Sequence, residues 1–338
     1  MPWFDLPPEQ LRQYRTTTAE PDGLDDWWGR QLAEARAAVQ PPRLTRYEPG
    51  TYGPLEVYDV EFSGAHGDRV RGWYLRPPGS GGQRMPVVVK FIGYGGGRGS
   101  PTEHTMLPSA GYAVLVMDSR GQGGRWSTGA TGDPAGGGRG PENSAVLTRG
   151  ITCAEDYYFT RLFVDAVRAV ETAAGLDDAD PDRIAVSGGS QGGALALAAA
   201  ALTTLEPAPA RVRVCHADVP FLCDIQRAIT LAPEPPYTEV PEFLAQNVGL
   251  IPVALDTLRH IDCALLARRI SAECLLSTGL MDGICPPSTV FAAYNEITAA
   301  KDIAVHPFSG HTVPPTHTEN QLRDLRRAFG PAPAAQAG

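Results

Sequence analysis

A serine in a glycine-flanked turn, followed along the chain by an aspartate and then a histidine, is a set of residues that can turn a hydroxyl into a nucleophile. The serine is Ser190, within Ile184-Ala185-Val186-Ser187-Gly188-Gly189-Ser190-Gln191-Gly192-Gly193, and an Ala/Leu-rich run follows through Ala201. A G-x-S-x-G sequence between a strand-like and a helix-like run is a nucleophile elbow. The tight turn lifts the hydroxyl above a sheet, at a helix N-terminus where developing negative charge is favoured. A merely structural turn is the competing reading, and the strand before and helix after favour the catalytic one.

A serine hydroxyl attacks poorly at neutral pH unless a base, itself held by an acid, takes its proton. Asp282 follows the run Cys274-Leu275-Leu276-Ser277-Thr278-Gly279, and His311 follows Ile303-Ala304-Val305-His306-Pro307-Phe308-Ser309-Gly310. Each therefore falls at the carboxyl end of a predicted strand, where open α/β sheets bind their ligands. Of the competitors, His306 lies inside a predicted strand and reads as packed, and His317 lies beyond the sheet and reads as a surface group. Asp218 and Asp224 read as structural or as lining a pocket. The tetrahedral oxyanion needs amide donors, one from the residue after the nucleophile and one from a loop after an early strand. Gln191 supplies the first and Tyr94, in Phe91-Ile92-Gly93-Tyr94-Gly95-Gly96-Gly97, the second. A flexible Gly-rich turn is the alternative for that loop.

The elements that must position these groups alternate. Short apolar runs at Val87–Ile92, Ala113–Met117, Ile184–Val186, Val212–Cys215, Cys274–Leu276 and Ile303–Val305 are separated by helix-like stretches, the pattern of a mostly parallel sheet flanked by helices. Phe159, Leu162, Phe163, Ala166, Val167 and Val170 repeat as one apolar helical face that should pack on the sheet. Ahead of these, Leu55–Phe62 and Val70–Arg76 predict an antiparallel hairpin. The first 45 residues read as a helical extension, with Leu24, Trp27, Trp28 and Leu32 near helical spacing before Pro41-Pro42. The Gly-rich stretch 121–140 is expected to be a long surface loop bordering the site. The expected fold is thus α/β, of the α/β-hydrolase type, as a single domain over 1–330 with a flexible Ala/Pro tail at 331–338.

The 338 residues carry a net charge of −9, with 43% hydrophobic and 20% charged residues, enough for one sizeable core. Acidity argues against nucleic acid or an anionic membrane surface as partner, because Lys and Arg supply that affinity. No apolar run reaches the length of a membrane span, and the opening MPWFDLPPEQ does not read as a secretory signal. Six cysteines without a C-x-x-C pair suggest free, mostly buried thiols and a cytoplasmic protein, although a mature secreted form would look the same. No G-x-G-x-x-G, P-loop or H-E-x-x-H spacing is present, so neither cofactor nor metal is implied.

At these residues the sequence resembles the acetyl xylan esterase and cephalosporin C deacetylase group, carbohydrate esterase family seven. The matching blocks are Arg120-Gly121-Gln122-Gly123, Thr148-Arg149-Gly150-Ile151, Gly188-Gly189-Ser190-Gln191-Gly192-Gly193, and the run from Leu280-Met281-Asp282-Gly283 to Asn295. The resemblance implies a serine carboxylesterase that removes acetyl groups from small substrates, among them acetylated xylose, xylooligosaccharides and cephalosporin C. It implies Ser190, Asp282 and His311 as triad, the Tyr94 and Gln191 amides as oxyanion donors, and a homo-oligomer, commonly a hexamer. Thr312 stands where the family usually has Glu after the histidine. Arg120 and Gln122 read as structural, the guanidinium tying loop carbonyls together near the site. A peptidase of the same fold and a non-catalytic binding protein are the rival readings.

Overall fold

A computed structural model describes residues 3–78, 84–134, 145–205 and 208–330. Its centre is a nine-stranded sheet: β1 (Arg43–Arg46), β2 (Glu56–Ser63), β3 (Arg69–Arg76), β4 (Met85–Phe91), β5 (Ala113–Met117), β6 (Ala179–Gly189), β7 (Val214–Asp218), β8 (Glu273–Gly279) and β9 (Lys301–His306), in the order β1-β2-β3-β5-β4-β6-β7-β8-β9. The strands β1, β2, β3 and β5 pair antiparallel in turn, and from β5 through β4 to β9 all pairs are parallel. Strands such as β4 and β5 are apolar without alternation because helices or loops cover both faces.

The chain steps from β4 outward to β5 and returns to the other side of β4 as β6. This reversal opens a crevice at the carboxyl ends of β4 and β6. Register then aligns the later strand ends beside it: Gly189 pairs with Asp218, Asp218 with Ser277, and Gly279 with His306. The loops that leave β4, β6, β8 and β9, carrying Tyr94, Ser190, Asp282 and His311, all emerge at one end of the sheet.

The helix Tyr158–Ala174 packs as its periodicity predicts, with Leu162, Phe163, Ala166, Val167 and Val170 fully buried. The helix Leu24–Ala37 covers it further. Arg36 of the helix Leu24–Ala37 bonds Glu171 at 2.6–2.9 Å, and Trp28 stacks on Phe163 with centroids 6.0 Å apart. The helix Gln191–Leu202 is buried on every side, which explains its Ala/Leu composition.

Several expectations are corrected. The first 45 residues are not continuously helical: among the described ones helix is confined to Pro8–Leu11 and Leu24–Ala37, and β1 has already begun at Arg43. All four β1 residues are exposed, so no alternation marked the strand. β7 begins at Val214, two residues later than the apolar run. The described part of the Gly-rich stretch is mixed: Gln122 and Asp133 are buried, whereas Gly124 to Trp126 are exposed and Trp126 borders the cleft as expected. Gly136 to Gly140 and the tail after Gly330 lie outside the described residues. Between β7 and β8, four short helices (Ile225–Leu231, Glu239–Gln246, Ile251–His260, Cys263–Leu266) fill a region the sequence left unassigned.

Candidate active site

Ser190 is built into its turn by sterics on all sides. Its backbone has φ 57° and ψ −121°, a conformation that costs roughly 1–3 kcal/mol for a residue with a side chain. The strain is held by two neighbours: the Ser190 amide donates to the Asp218 carbonyl at 2.8 Å, and its carbonyl accepts from the Phe221 amide at 3.0 Å. The flanking glycines are needed for close approach. A Cβ on Gly188 would sit 2.4 Å from Gly192 backbone, and one on Gly192 would sit 2.5 Å from the Phe91 carbonyl oxygen. The elbow can close only without those atoms.

Asp282 and His311 are brought together although 29 residues separate them. The imidazole Nδ1 lies 2.8 Å from Asp282 Oδ2. The other carboxylate oxygen accepts from the amides of Ile284 and Cys285, both at 2.9 Å. An ionised carboxylate only accepts, so Nδ1 carries the proton and Nε2 presents its lone pair. Asp282 is fully buried, whereas the His311 side chain keeps 20% of its surface. Ser190 and His311 line one cleft of about 420 Å³, together with Gly93, Trp126, Gly189, Asp218, Thr312 and others. Among the described residues neither Ser190 Oγ nor His311 Nε2 has a hydrogen-bond partner, and the two are not bonded to each other. Catalytic hydrogen bonds commonly tighten only once substrate is bound.

Tyr94 lies on the loop after β4, and Gln191 is the first residue of the elbow helix. The Gly93 carbonyl accepts from Gly96 at 3.1 Å, which turns the Tyr94 amide of that peptide the opposite way. The Tyr94 carbonyl accepts from Trp126 Nε1 at 2.9 Å, and the Gly95 amide donates to Gln122 Oε1 at 2.6 Å. Gln122 Nε2 reaches Gln191 Oε1 at 2.8 Å, and Gln191 Nε2 reaches the Ile92 carbonyl at 3.1 Å. One chain of amide bonds thereby ties the loop after β4 to the start of the elbow helix. Neither the Tyr94 nor the Gln191 amide donates to an acceptor among the described residues.

Other expectations resolve differently. Arg120 binds carboxylates rather than carbonyls: Asp165 bidentately at 2.6 and 2.8 Å, and Asp68 at 3.0 Å. Its own carbonyl is the group that accepts, from Tyr158. Gln122 is structural, as expected, but its partners are the two site loops. His317 is no surface group: it is 1% exposed, with Nε2 2.7 Å from Asp218 Oδ1. His306 packs edge-on against it, centroids 5.6 Å apart, and burial lowers its pKa. Asp218 lines the cleft, while Asp224 is a buried anchor for Tyr14 at 2.7 Å and Thr16 at 2.6 Å. All six cysteines are unpaired and five are buried.

Sequence reasoning missed Glu239. Both of its oxygens lie 2.9 Å from the Tyr94 hydroxyl, which in turn accepts from the Val146 amide at 2.8 Å. Burial raises the Glu239 carboxyl pKa and pushes the Tyr94 phenol up. No motif surrounds Glu239, so nothing in the sequence could have singled it out. Trp126, within the Gly-rich stretch, was likewise passed over; a lone aromatic among glycines was the available signal.

A nine-stranded, mostly parallel sheet with a strained serine after β6, an aspartate after β8 and a histidine after β9 defines an α/β-hydrolase. Solved structures agree. An acetyl xylan esterase from Paenibacillus sp. R4 superposes with a TM-score of 0.86 at 32% identity, covering 96% of this chain and 100% of that one. Acetyl xylan esterase 1 from Thermoanaerobacterium sp. JW/SL YS485 gives 0.83, also at 32% identity, with the same coverage. The acetyl esterase Axe7A of Xylanibacter ruminicola is 28% identical over 320 residues, which span 90% of this chain and 66% of that protein. The profile of the acetyl xylan esterase family matches residues 1–327. The chain belongs to that family, a family of carboxylic ester hydrolases.

Proposed function

We propose that the protein is a serine carboxylesterase that removes acetyl groups from small acetylated molecules, acetylated xylose or short xylooligosaccharides and cephalosporin C among them. The carrying observation is the 2.8 Å bond from Asp282 to His311 Nδ1, which leaves Nε2 as a base on the cleft that also holds Ser190. His311 takes the Ser190 proton as Oγ bonds to the acetyl carbonyl carbon. The oxyanion settles between the Tyr94 and Gln191 amides. His311 then returns the proton to the departing alcohol, leaving acetyl-Ser190, and water repeats the sequence to release acetate. Asp282 holds the imidazole orientation and stabilises its cationic form.

Ser190→Ala is expected to abolish hydrolysis of p-nitrophenyl acetate with the circular dichroism spectrum and melting temperature retained. Unchanged turnover would overturn the assignment. A panel of acetylated sugars, cephalosporin C and longer acyl esters then ranks the substrates. The same proposal extends to a homo-oligomer, as the family resemblance implies, which light scattering would detect as a multiple of the 36.0 kDa chain. A cytoplasmic location is supported by the six unpaired thiols.

A further inference from the structure

Lys90 stands on β4 one residue before Phe91, and its side chain lines the cleft that holds Ser190 and His311. Its ammonium has one hydrogen-bond neighbour, His104 Nδ1, at 3.3 Å. The other nitrogen of that imidazole lies 2.8 Å from the Arg98 carbonyl oxygen. A carbonyl can only accept, so Nε2 carries the ring proton and Nδ1 offers Lys90 a lone pair. Burial, and after it the charge of Lys90, lower the His104 pKa to about 4, so the ring is neutral at neutral pH.

Lys90 therefore rests on an uncharged partner. Among the described residues no carboxylate comes within 4.0 Å of its Nζ. The acid on the same wall, Glu103, is engaged elsewhere, with Oε1 2.8 Å from the Ser100 amide and Oε2 3.5 Å from the Ser127 hydroxyl. Burial lowers the Lys90 pKa, and the charge of Glu103 opposes that only in part. A cation withdrawn from water without a counter-ion is costly unless an anion arrives to complete it.

We infer that Lys90 determines specificity by recognising a carboxylate, or a comparable anionic group, on the alcohol part of the ester. This rests on the acetyl esterase reading of the cleft. An acetyl group occupies a small part of about 420 Å³, so the remainder receives the alcohol. Trp126, 62% exposed and lining the same cleft, offers that alcohol a flat apolar face.

The test compares two acetyl esters of equal shape, those of 3-(hydroxymethyl)benzoate and 3-(hydroxymethyl)benzamide. The wild-type protein is expected to favour the carboxylate in kcat/KM by about tenfold, the scale of a charge-assisted hydrogen bond, with the preference shrinking at high salt. Lys90→Met is expected to erase the preference and Lys90→Arg to keep most of it. Equal wild-type rates, a preference for the amide, or an undiminished preference in a folded Lys90→Met variant would each overturn the inference. The wild-type ratio and its salt dependence decide the matter even if the variants do not fold. Turnover of p-nitrophenyl acetate in the same preparation separates the two failures. Cleavage of that probe without a preference within the pair removes only the role of Lys90, and cleavage of none of the three removes the esterase proposal.

Discussion

Two His–Asp pairs stand at the same end of the sheet, and their hydrogen bonds are nearly equal: 2.8 Å for His311–Asp282 and 2.7 Å for His317–Asp218. Pairing alone therefore does not make a base. His317 lies in the first turn of the helix Pro315–Phe329, is 1% exposed, and buries an Nδ1 that has no hydrogen-bond partner among the described residues. Its aspartate is also claimed by Ser277 at 2.8 Å and Gln321 at 3.0 Å. His311 sits on a loop with part of its ring open to the cleft, and its aspartate spends its remaining capacity on two backbone amides that fix its position. What separates the pairs is access. One imidazole faces the cleft, and the other fastens a helix to a strand.

The largest effect should come from exchanging the two histidines' fates. His311→Ala is expected to lower kcat for p-nitrophenyl acetate by about 10⁴-fold or more, whereas His317→Ala should lower it by less than about tenfold. His317→Ala should instead reduce unfolding free energy by roughly 1–3 kcal/mol, because Asp218 loses a buried partner. Urea titration measures that loss. If His317→Ala is the inactive variant, the comparison is inverted.

Asp282→Asn is expected to cost about 10³ to 10⁴-fold in kcat, since an amide there can hold the imidazole in the wrong tautomer. A loss below about tenfold would mean that the pair does no more than its buried counterpart. Glu239→Gln should be milder. It loosens the anchor of Tyr94 without touching the amide itself, so kcat should fall by about tenfold with KM little changed, a fraction of what losing an oxyanion donor costs. A change confined to KM would place Glu239 in substrate binding instead.

The smallest effect concerns a third imidazole, the buried His104. Its folded pKa of about 4 lies below the unfolded value near 6.5. The unfolded chain therefore binds the extra proton first as pH falls. The stability that depends on the neutral ring is present above about pH 6.5 and is lost progressively toward pH 4. The stability difference between wild type and His104→Gln should accordingly narrow over that window in urea titrations. A difference independent of pH would contradict it.

Much of the scaffold could be read from the chain. Ala113–Met117 coincides with β5, the hairpin limits are right to within a residue, and the apolar face of the helix at 158–174 is buried as its spacing requires. Burial on both faces leaves an unbroken apolar run, and burial on one face leaves a period, so both survive in the sequence. β1 left no such trace because all four of its residues face solvent. The short helices between β7 and β8 are each too brief to establish a period.

By itself the sequence determined the elbow, since only glycine fits at 188 and 192, and it determined which aspartate and histidine lie at strand ends. The tertiary structure decided which histidine is open to the cleft and which is sealed. It also decided that Glu239 would reach Tyr94 and that Lys90 would face the cleft with no carboxylate among the described residues within 4.0 Å of its ammonium. Local residue types set turns and periods through short-range sterics. Exposure and charge pairing depend on groups from distant strands and loops, whose positions exist only once the sheet has formed.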